Sequence, residues 1–292
     1  MAQEYWKWPE MTWQVMGFKS DNEASIVAGV DIGTTSAQAV VFADDKLVGY
    51  SSINIGANYK AAAEKAIELA LGDSGLTLDK ISKIGATGFG KQNATFATEY
   101  FDEVLCHAKG ARFIFGPKVK TVVDIGGQST RAISLHSWDR VRDFYMNDKC
   151  ATGFGRNIEK VSEYMQVPIT EIGEFSLNVE KDPEPVSTTC YSFAESETMG
   201  LFTTVFREEP STANEVVASY IFANAWRILG VIGKLAPLDI GEVSVEEGLA
   251  FTGGVAKNPG ITKRIERALK VHALEGDYDP QLAGAIGAAL LV

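Results

Sequence analysis

IVAGVDIGTTSAQAVVF, residues 26–42, joins two apolar runs through Asp31-Ile32-Gly33 and a pair of threonines. An apolar run that ends on Asp and Gly, followed by a second run from Ser36, is the pattern of a strand–turn–strand hairpin. The design returns in KTVVDIGGQSTRAISL, residues 120–135, where Asp124-Ile125-Gly126-Gly127 holds the same place between two apolar runs. A unit that occurs twice points to internal duplication. The economical architecture is then two similar α/β halves with a cleft between them.

Working outward, the first unit is followed by a strand near KLVGYSSI (46–53), a helix over Tyr59 to Leu71 and a short strand in ISKIGATG (81–88). Beyond the second unit come helices after Cys150 and after Cys190, and a long helix from about Ser211 to Leu235. A strand in GLAFTGG (248–254) and a helix from Pro259 to Leu269 follow, and the Gly/Ala-rich AGAIGAALLV (283–292) closes the chain with small residues that allow close approach to another element. The expected division is an N-terminal extension over 1–25, a first subdomain over 26–120 and a second over 121–292. The extension holds Trp6, Trp8 and Trp13 without clear periodicity, and reads as a tail packed on the body or on a partner, without chemistry of its own.

The two turns suit a Mg-nucleotide. Turn N–H groups and the Thr34 and Thr35 hydroxyls can bond phosphate oxygens, while a strand-end carboxylate holds Mg²⁺ through water. One Asp-Gly turn is ordinary hairpin chemistry; two, accompanied by TGFG (87–90) and TGGVAKNPG (252–260), are not. The second of these places bare backbone after a strand, where the nucleoside end of a nucleotide can approach. The GxxxxGK[ST] pattern of a P-loop is absent.

Composition narrows the class further. The chain has 292 residues, 46% of them hydrophobic and 22% charged, with a net charge of −11. That charge and the lack of Lys/Arg clusters argue against a nucleic-acid partner. The C-terminal apolar stretch AGAIGAALLV has ten residues, about half of a bilayer span, and no signal sequence opens the chain, so the expected location is cytoplasmic, with no membrane. Three widely spaced cysteines, 106, 150 and 190, make no disulfide framework and fit a reducing compartment. Cys150 lies in MNDKCATGFGRN and Cys190 in STTCYSFAESE, each ahead of a predicted helix. Forty residues between single cysteines is no metal signature, and taken alone each reads as a small buried hydrophobe. Cys106, in EVLCHAKGA, reads as a core thiol and His107 as a satisfied polar residue.

DIGTTSAQ, VDIGGQST and FTGGVAKNPG together resemble the phosphate-1, phosphate-2 and adenosine motifs of the actin, sugar-kinase and Hsp70 superfamily, which implies duplicated ribonuclease-H-like domains around a nucleotide cleft. With the two cysteine motifs the chain resembles the narrower BadF/BadG/BcrA/BcrD ATPase family over residues 26–292. That family contains ATPase subunits of ATP-dependent benzoyl-CoA reductase and activators of 2-hydroxyacyl-CoA dehydratases. The resemblance implies that Cys150 and Cys190 ligate a [4Fe–4S] cluster shared with a second, homologous subunit. Asp31 and Asp124 would then hold Mg²⁺ and the phosphates of ATP, and Gln128 would orient the attacking water. Gly33, Thr34, Thr35, Gly126 and Gly127 would line the phosphates, with Gly253, Gly254 and Asn258 at the nucleoside.

The implied activity is ATP-driven delivery of low-potential electrons, with ferredoxin as donor and catalytic acyl-CoA-binding subunits as acceptor. Where the family pattern has a small residue and an aromatic, CATGFGRN has Phe154 and Asn157. This departure and the Trp-rich start favour a benzoyl-CoA reductase subunit over a homodimeric dehydratase activator. Glu195 and Glu197 either transmit nucleotide state along the Cys190 helix or form a solvated face; Arg156 and Asn157 stand similarly beyond Cys150. The alternatives of another class are a sugar or acyl kinase on the same fold, for which no acceptor-base motif is visible, and a nucleotide-gated binding module.

Overall fold

The computed structural model describes residues 4–16, 25–136, 140–147, 150, 152–204, 212–235 and 248–292. The expected helix start at Ser211, residues 1–3 and 17–24 of the extension, and residues 148, 149 and 151 of the Cys150 motif lie outside these.

The first sheet is built from β1 (Met11–Gln14), β2 (Ile26–Ile32), β3 (Ser36–Ala43) and β4 (Lys46–Asn54). Helix α1 (Tyr59–Leu71), β5 (Lys83–Thr87) and β6 (Glu99–Tyr100) follow, and the strand order is β1-β4-β3-β2-β5-β6. Helix α2 (Glu103–Phe115) leads to the second sheet, of β7 (Thr121–Ile125), β8 (Thr130–Leu135), β9 (Val141–Met146) and, after a helical excursion, β10 (Leu249–Thr252), in the order β10-β7-β8-β9. The excursion holds α3 (Gly155–Met165), α4 (Ile172–Phe175), α5 (Tyr191–Thr204) and α6 (Ala213–Leu235); α7 (Pro259–Leu269) and α8 (Ala283–Ala289) follow β10.

The two sheets share one wiring. In each, three antiparallel strands (β2-β3-β4 and β7-β8-β9) are extended on the other side by a parallel strand, β5 beside β2 and β10 beside β7. Asp31 pairs in register with Thr87, and Asp124 with Thr252. Across the antiparallel side Asp31 faces Gln38, and Asp124 faces Arg131. The duplication therefore extends beyond the two hairpins to the TGFG and TGGV turns.

Helix α8 does not stay with the second half in sequence. It lies against α2, β2 and β5, and its small residues permit backbone contact. A Cβ on Gly29 would sit 2.0 Å from Ala285 O, one on Gly85 2.2 Å from Ala288 O, and one on Gly110 1.9 Å from Ala283 O. The opposite face of the first sheet is covered by α1, whose Ala62, Ala63, Ala66 and Ala70 are buried. The largest core joins the second sheet to α3, α4, α6 and α7, with Tyr220, Ile221 and Ile228 of α6 fully buried. By length and composition α6 is apolar enough to cross a membrane, a property the ten-residue run does not reveal, yet 67% of its apolar window is buried inside the protein.

The extension packs on the body, one of the two placements expected of it. Residues 11–14 form an edge strand, antiparallel to β4, and Trp8 lines the cleft between the halves. The Trp-rich start carries a regular hydrogen-bonding strand because β4 otherwise leaves an open edge.

Candidate functional site

A cleft opens between the sheets. Its walls include Asp31, Gly33, Thr34 and Thr35 from the first turn, Asp124, Gly126 and Gly127 from the second, and Gly253 and Gly254 after β10. The two hairpin turns meet: a Cβ on Gly127 would lie 2.7 Å from Thr34 Oγ1 and 2.6 Å from the Thr35 methyl carbon. Each parallel strand also ends on a glycine of positive φ that makes room for the neighbouring Asp. Gly88 has φ 92° with its Cβ position 2.3 Å from Asp31 Oδ1, and Gly253 has φ 85° with 2.7 Å to Asp124 Oδ1. Side chains at either would fill the space around the carboxylates.

Both carboxylates are buried, at 8% and 2% exposure. Burial raises Asp31 to about 6 against the pull of Arg131. Burial and the Asp31 charge push Asp124 upward as well. A cation approaching either carboxylate from the cleft, through water, would relieve this cost, which suits Mg²⁺. Arg131 already offsets part of it, with Nη1 2.6 Å from Asp124 Oδ2 and an ion pair to Glu103. His107, from α2, stands between the two: Nε2 is 3.8 Å from Asp31 Oδ2 and Nδ1 3.4 Å from Asp124 Oδ1. Nδ1 also lies 3.1 Å from Thr252 Oγ1. Burial drops its pKa to about 4, so the ring is neutral near pH 7. As expected it is a hydrogen-bonded buried polar group, but its position inside the cleft is new. Cys106, fully buried, is pushed up to about 12 and is an inert core thiol.

Gln128 is half-buried on the second turn and is not among the residues lining the cleft. Asn258 is not a lining residue either; it caps α7, its Oδ1 accepting from Ile261 N at 3.2 Å. Sequence reasoning passed over Arg131, Glu103 and Trp8. Arg131 was legible as the counterpart of Gln38, seven places after its Asp in each unit.

The thiols of Cys150 and Cys190 are partly exposed on the second half, and both act electrostatically on Arg227 of α6. Arg227 holds the Cys190 loop: Nε donates to Thr188 O (3.0 Å), Nη2 to Ser187 O and Cys190 O, and the guanidinium lies 4.2 Å from the Tyr191 ring centroid. Cys190 directly precedes α5, and its carbonyl accepts the first helical bond from Ala194 N. Cys150 is different. Helix α3 starts only at Gly155, and the N–H groups of Phe154, Gly155 and Arg156 donate to the carbonyls of Gly126 and Gly127. That helix terminus bonds to the second hairpin turn, not to the thiol. The Cys150 thiol is instead lowered by the Thr152 hydroxyl at 3.1 Å, then by the Thr152 and Gly153 N–H groups and Arg227, against partial burial.

From α3 the connection continues. Buried Asn157 donates to Glu195 Oε2 of α5 (2.7 Å) and accepts from Tyr220 of α6 (2.6 Å). Glu197 accepts from Ser187 N at 2.6 Å, fastening the loop ahead of Cys190. Phe154 is fully buried, edge-on to Tyr191. Both departures from the family pattern are thus packing and bonding solutions inside the chain, and they carry no information about its partner. Among the described residues no three His, Cys, Asp or Glu gather as a metal site, so two thiolates here would need ligands from elsewhere.

Two duplicated sheets gripping a carboxylate-lined cleft define an actin-like ATPase fold. A profile of the BadF/BadG/BcrA/BcrD ATPase family matches residues 28–292, and the chain belongs to that family. The 2-hydroxyisocaproyl-CoA dehydratase activator of Clostridioides difficile is 32% identical, over 90% of this chain and 92% of its own. The activator of lactoyl-CoA dehydratase from Anaerotignum propionicum is 33% identical, over 90% and 95%. One of the benzoyl-CoA reductase subunits of Thauera aromatica is 29% identical, over 91% and 92%. In structure, the Clostridium difficile activator with bound ADPNP superposes with a TM-score of 0.78 at 30% identity, covering 91% of this chain and 93% of that one. A glucokinase from Streptomyces griseus, at 13% identity and TM-score 0.53 over 92% and 99%, shares the fold alone.

Proposed function

We propose that the chain is an ATP-driven electron-transfer activator of the 2-hydroxyacyl-CoA dehydratase type. The observation that carries the reading is the unbroken set of contacts from the Gly126–Gly127 turn through the α3 terminus to Asn157 and Glu195, and so to the helix that begins after Cys190. A nucleotide-binding turn bonded to a thiol-bearing element is what coupling of hydrolysis to redox chemistry requires. Similarity to two dehydratase activators supports this type over the benzoyl-CoA reductase type expected from the sequence.

In this reading the Thr34 and Thr35 hydroxyls and the Gly127 N–H bind phosphate oxygens, while Gly33 and Gly126, whose N–H groups donate to Ser36 O and Ser129 O, shape the turns beside them. Asp31 and Asp124 hold the Mg²⁺, which neutralises phosphate charge. Gly253 and Gly254 give the nucleoside bare backbone, with Asn258 fixing the helix behind them; Gln128, which does not line the cleft, is left without the water-orienting role expected of it. Neutral His107 keeps the carboxylates apart without adding charge. Cys150 and Cys190 hold half of a [4Fe–4S] cluster, which supplies a one-electron redox site, and a second copy of the chain completes the ligand set. The partners are then an electron donor such as ferredoxin and a catalytic acyl-CoA dehydratase. Residues 26–120 with α8, and 121–282, act as the two moving halves.

The test is anaerobic purification with iron analysis. Wild type should carry about four iron per pair of chains, and Cys150→Ala or Cys190→Ala should lose the iron while still binding ADP. Iron-free wild type that hydrolyses ATP sinks the proposal.

A further inference from the structure

The family match begins at residue 28, so the segment 4–16 is an addition to the matched body. Its C-terminal part belongs to the first half. β1 pairs with β4 from Met11↔Ser52 to Gln14↔Gly49, Val15 N donates to Val48 O at 2.9 Å, and Trp13 stacks on Tyr50 with centroids 5.6 Å apart. Glu10 Oε1 accepts from Asn54 N at 3.1 Å. Its N-terminal part belongs to the second half: Tyr5 O accepts from Ile169 N at 3.1 Å, and Lys7 acts on Glu159 of α3. The segment therefore crosses the mouth of the cleft, anchored on both sides.

Trp8 is at the crossing. It lines the same cleft as Asp31 and Gly254, and packs against the core of the second half. A Cβ on Gly254 would lie 3.8 Å from its Cδ1. Lys257 Nζ is 5.1 Å from the indole centroid, and it also reaches Asp279 (2.9 Å) and Gln281 (3.0 Å). Gln281 in turn donates to Ser36 at 2.9 Å, on the first half. Pro9 follows Trp8 and holds it extended, which limits the freedom lost when the ring is buried. An aromatic face and an ammonium beside bare glycine backbone form a surface for a flat heterocycle bearing anionic groups.

We propose that Trp8 is a nucleotide-contacting residue, supplied by a strap over residues 4–16 that ties the two halves together and slows release of the bound nucleotide. This rests on the ATP-site reading above. The experiment uses the full chain and a mant-labelled ADP with Mg²⁺. Energy transfer from tryptophan to the bound probe should fall sharply in Trp8→Phe and persist in Trp13→Phe and Trp226→Phe. Release of the probe should quicken about tenfold in Trp8→Ala, the scale of one lost aromatic contact, and stay within about threefold in Trp8→Phe, which keeps an aromatic ring. Transfer undiminished in Trp8→Phe, with release from Trp8→Ala within about twofold of wild type, overturns the inference alone. Wild-type protein that takes up no probe removes the ATP-site reading beneath it.

Discussion

At the scale of the residue, the cleft is a set of buried charges held at a cost until a ligand arrives. Asp31 and Asp124 are closed in by Gly88 and Gly253, and Arg131 compensates only in part. Glu159, on the rim of the same cleft, shows how such a cost registers in stability. Burial raises it to about 7, with Lys7 and Arg156 opposing and Glu4 adding to the rise. A carboxyl whose folded-state pKa is raised contributes stability that is full below about 4.5 and is lost as pH rises through about 7. The melting temperature of wild type relative to Glu159→Gln should therefore fall between pH 5 and pH 8 in nucleotide-free protein. A difference that is flat across that range, or of opposite slope, contradicts the assignment.

At the scale of the element, small residues decide how closely helices lie. Gly110 of α2 meets Ala283 of α8 backbone to backbone, and an added methyl would stand 1.9 Å from a carbonyl oxygen. Gly110→Ala is expected to destabilise by about 1–3 kcal/mol, despite its gain in helix propensity, because the helices must separate. Chemical denaturation measures this, and a stabilised variant would show that the pair is not closely packed. Helix α2 itself was readable: Asp102 caps its start, accepting from Val104 N at 2.8 Å, and Gly116 follows its end. EVLCHAKGA taken only for Cys106 and His107 hides that helix. Strand β9 (Val141–Met146) was also passed over, because VRDFYM lacks clean alternation and four of its residues are exposed.

At the scale of the whole molecule, the activator reading proposed above requires that nucleotide state reach the thiols. The contacts run from the second turn through α3 to α5, with Asn157 as the buried joint between helices. Asn157→Ala leaves Tyr220 and Glu195 short of a partner, and is expected to cost about 1–3 kcal/mol. Its functional signature should be distinct. ATP hydrolysis should continue within a few-fold of wild type while nucleotide-dependent electron delivery to an acceptor drops about tenfold or more. Equal losses of both would mean that Asn157 is only a packing residue. The strap adds a second link at this scale, since it joins the halves at the cleft mouth.

The sequence by itself determined the duplicated hairpins, the α/β class, the two Asp-Gly turns and the family, because apolar periodicity, Asp-Gly turns and local motifs are properties of neighbouring residues. It also separated Cys106 from the two cysteines that belong to motifs. Tertiary structure alone decided the rest. His107 between the aspartates, the return of α8 to the first sheet, Arg227 beside both thiols and the crossing of Trp8 over the cleft all join residues distant in the chain. No local pattern encodes such pairings; they are fixed by which apolar faces find each other on folding and by which buried polar groups must then be satisfied.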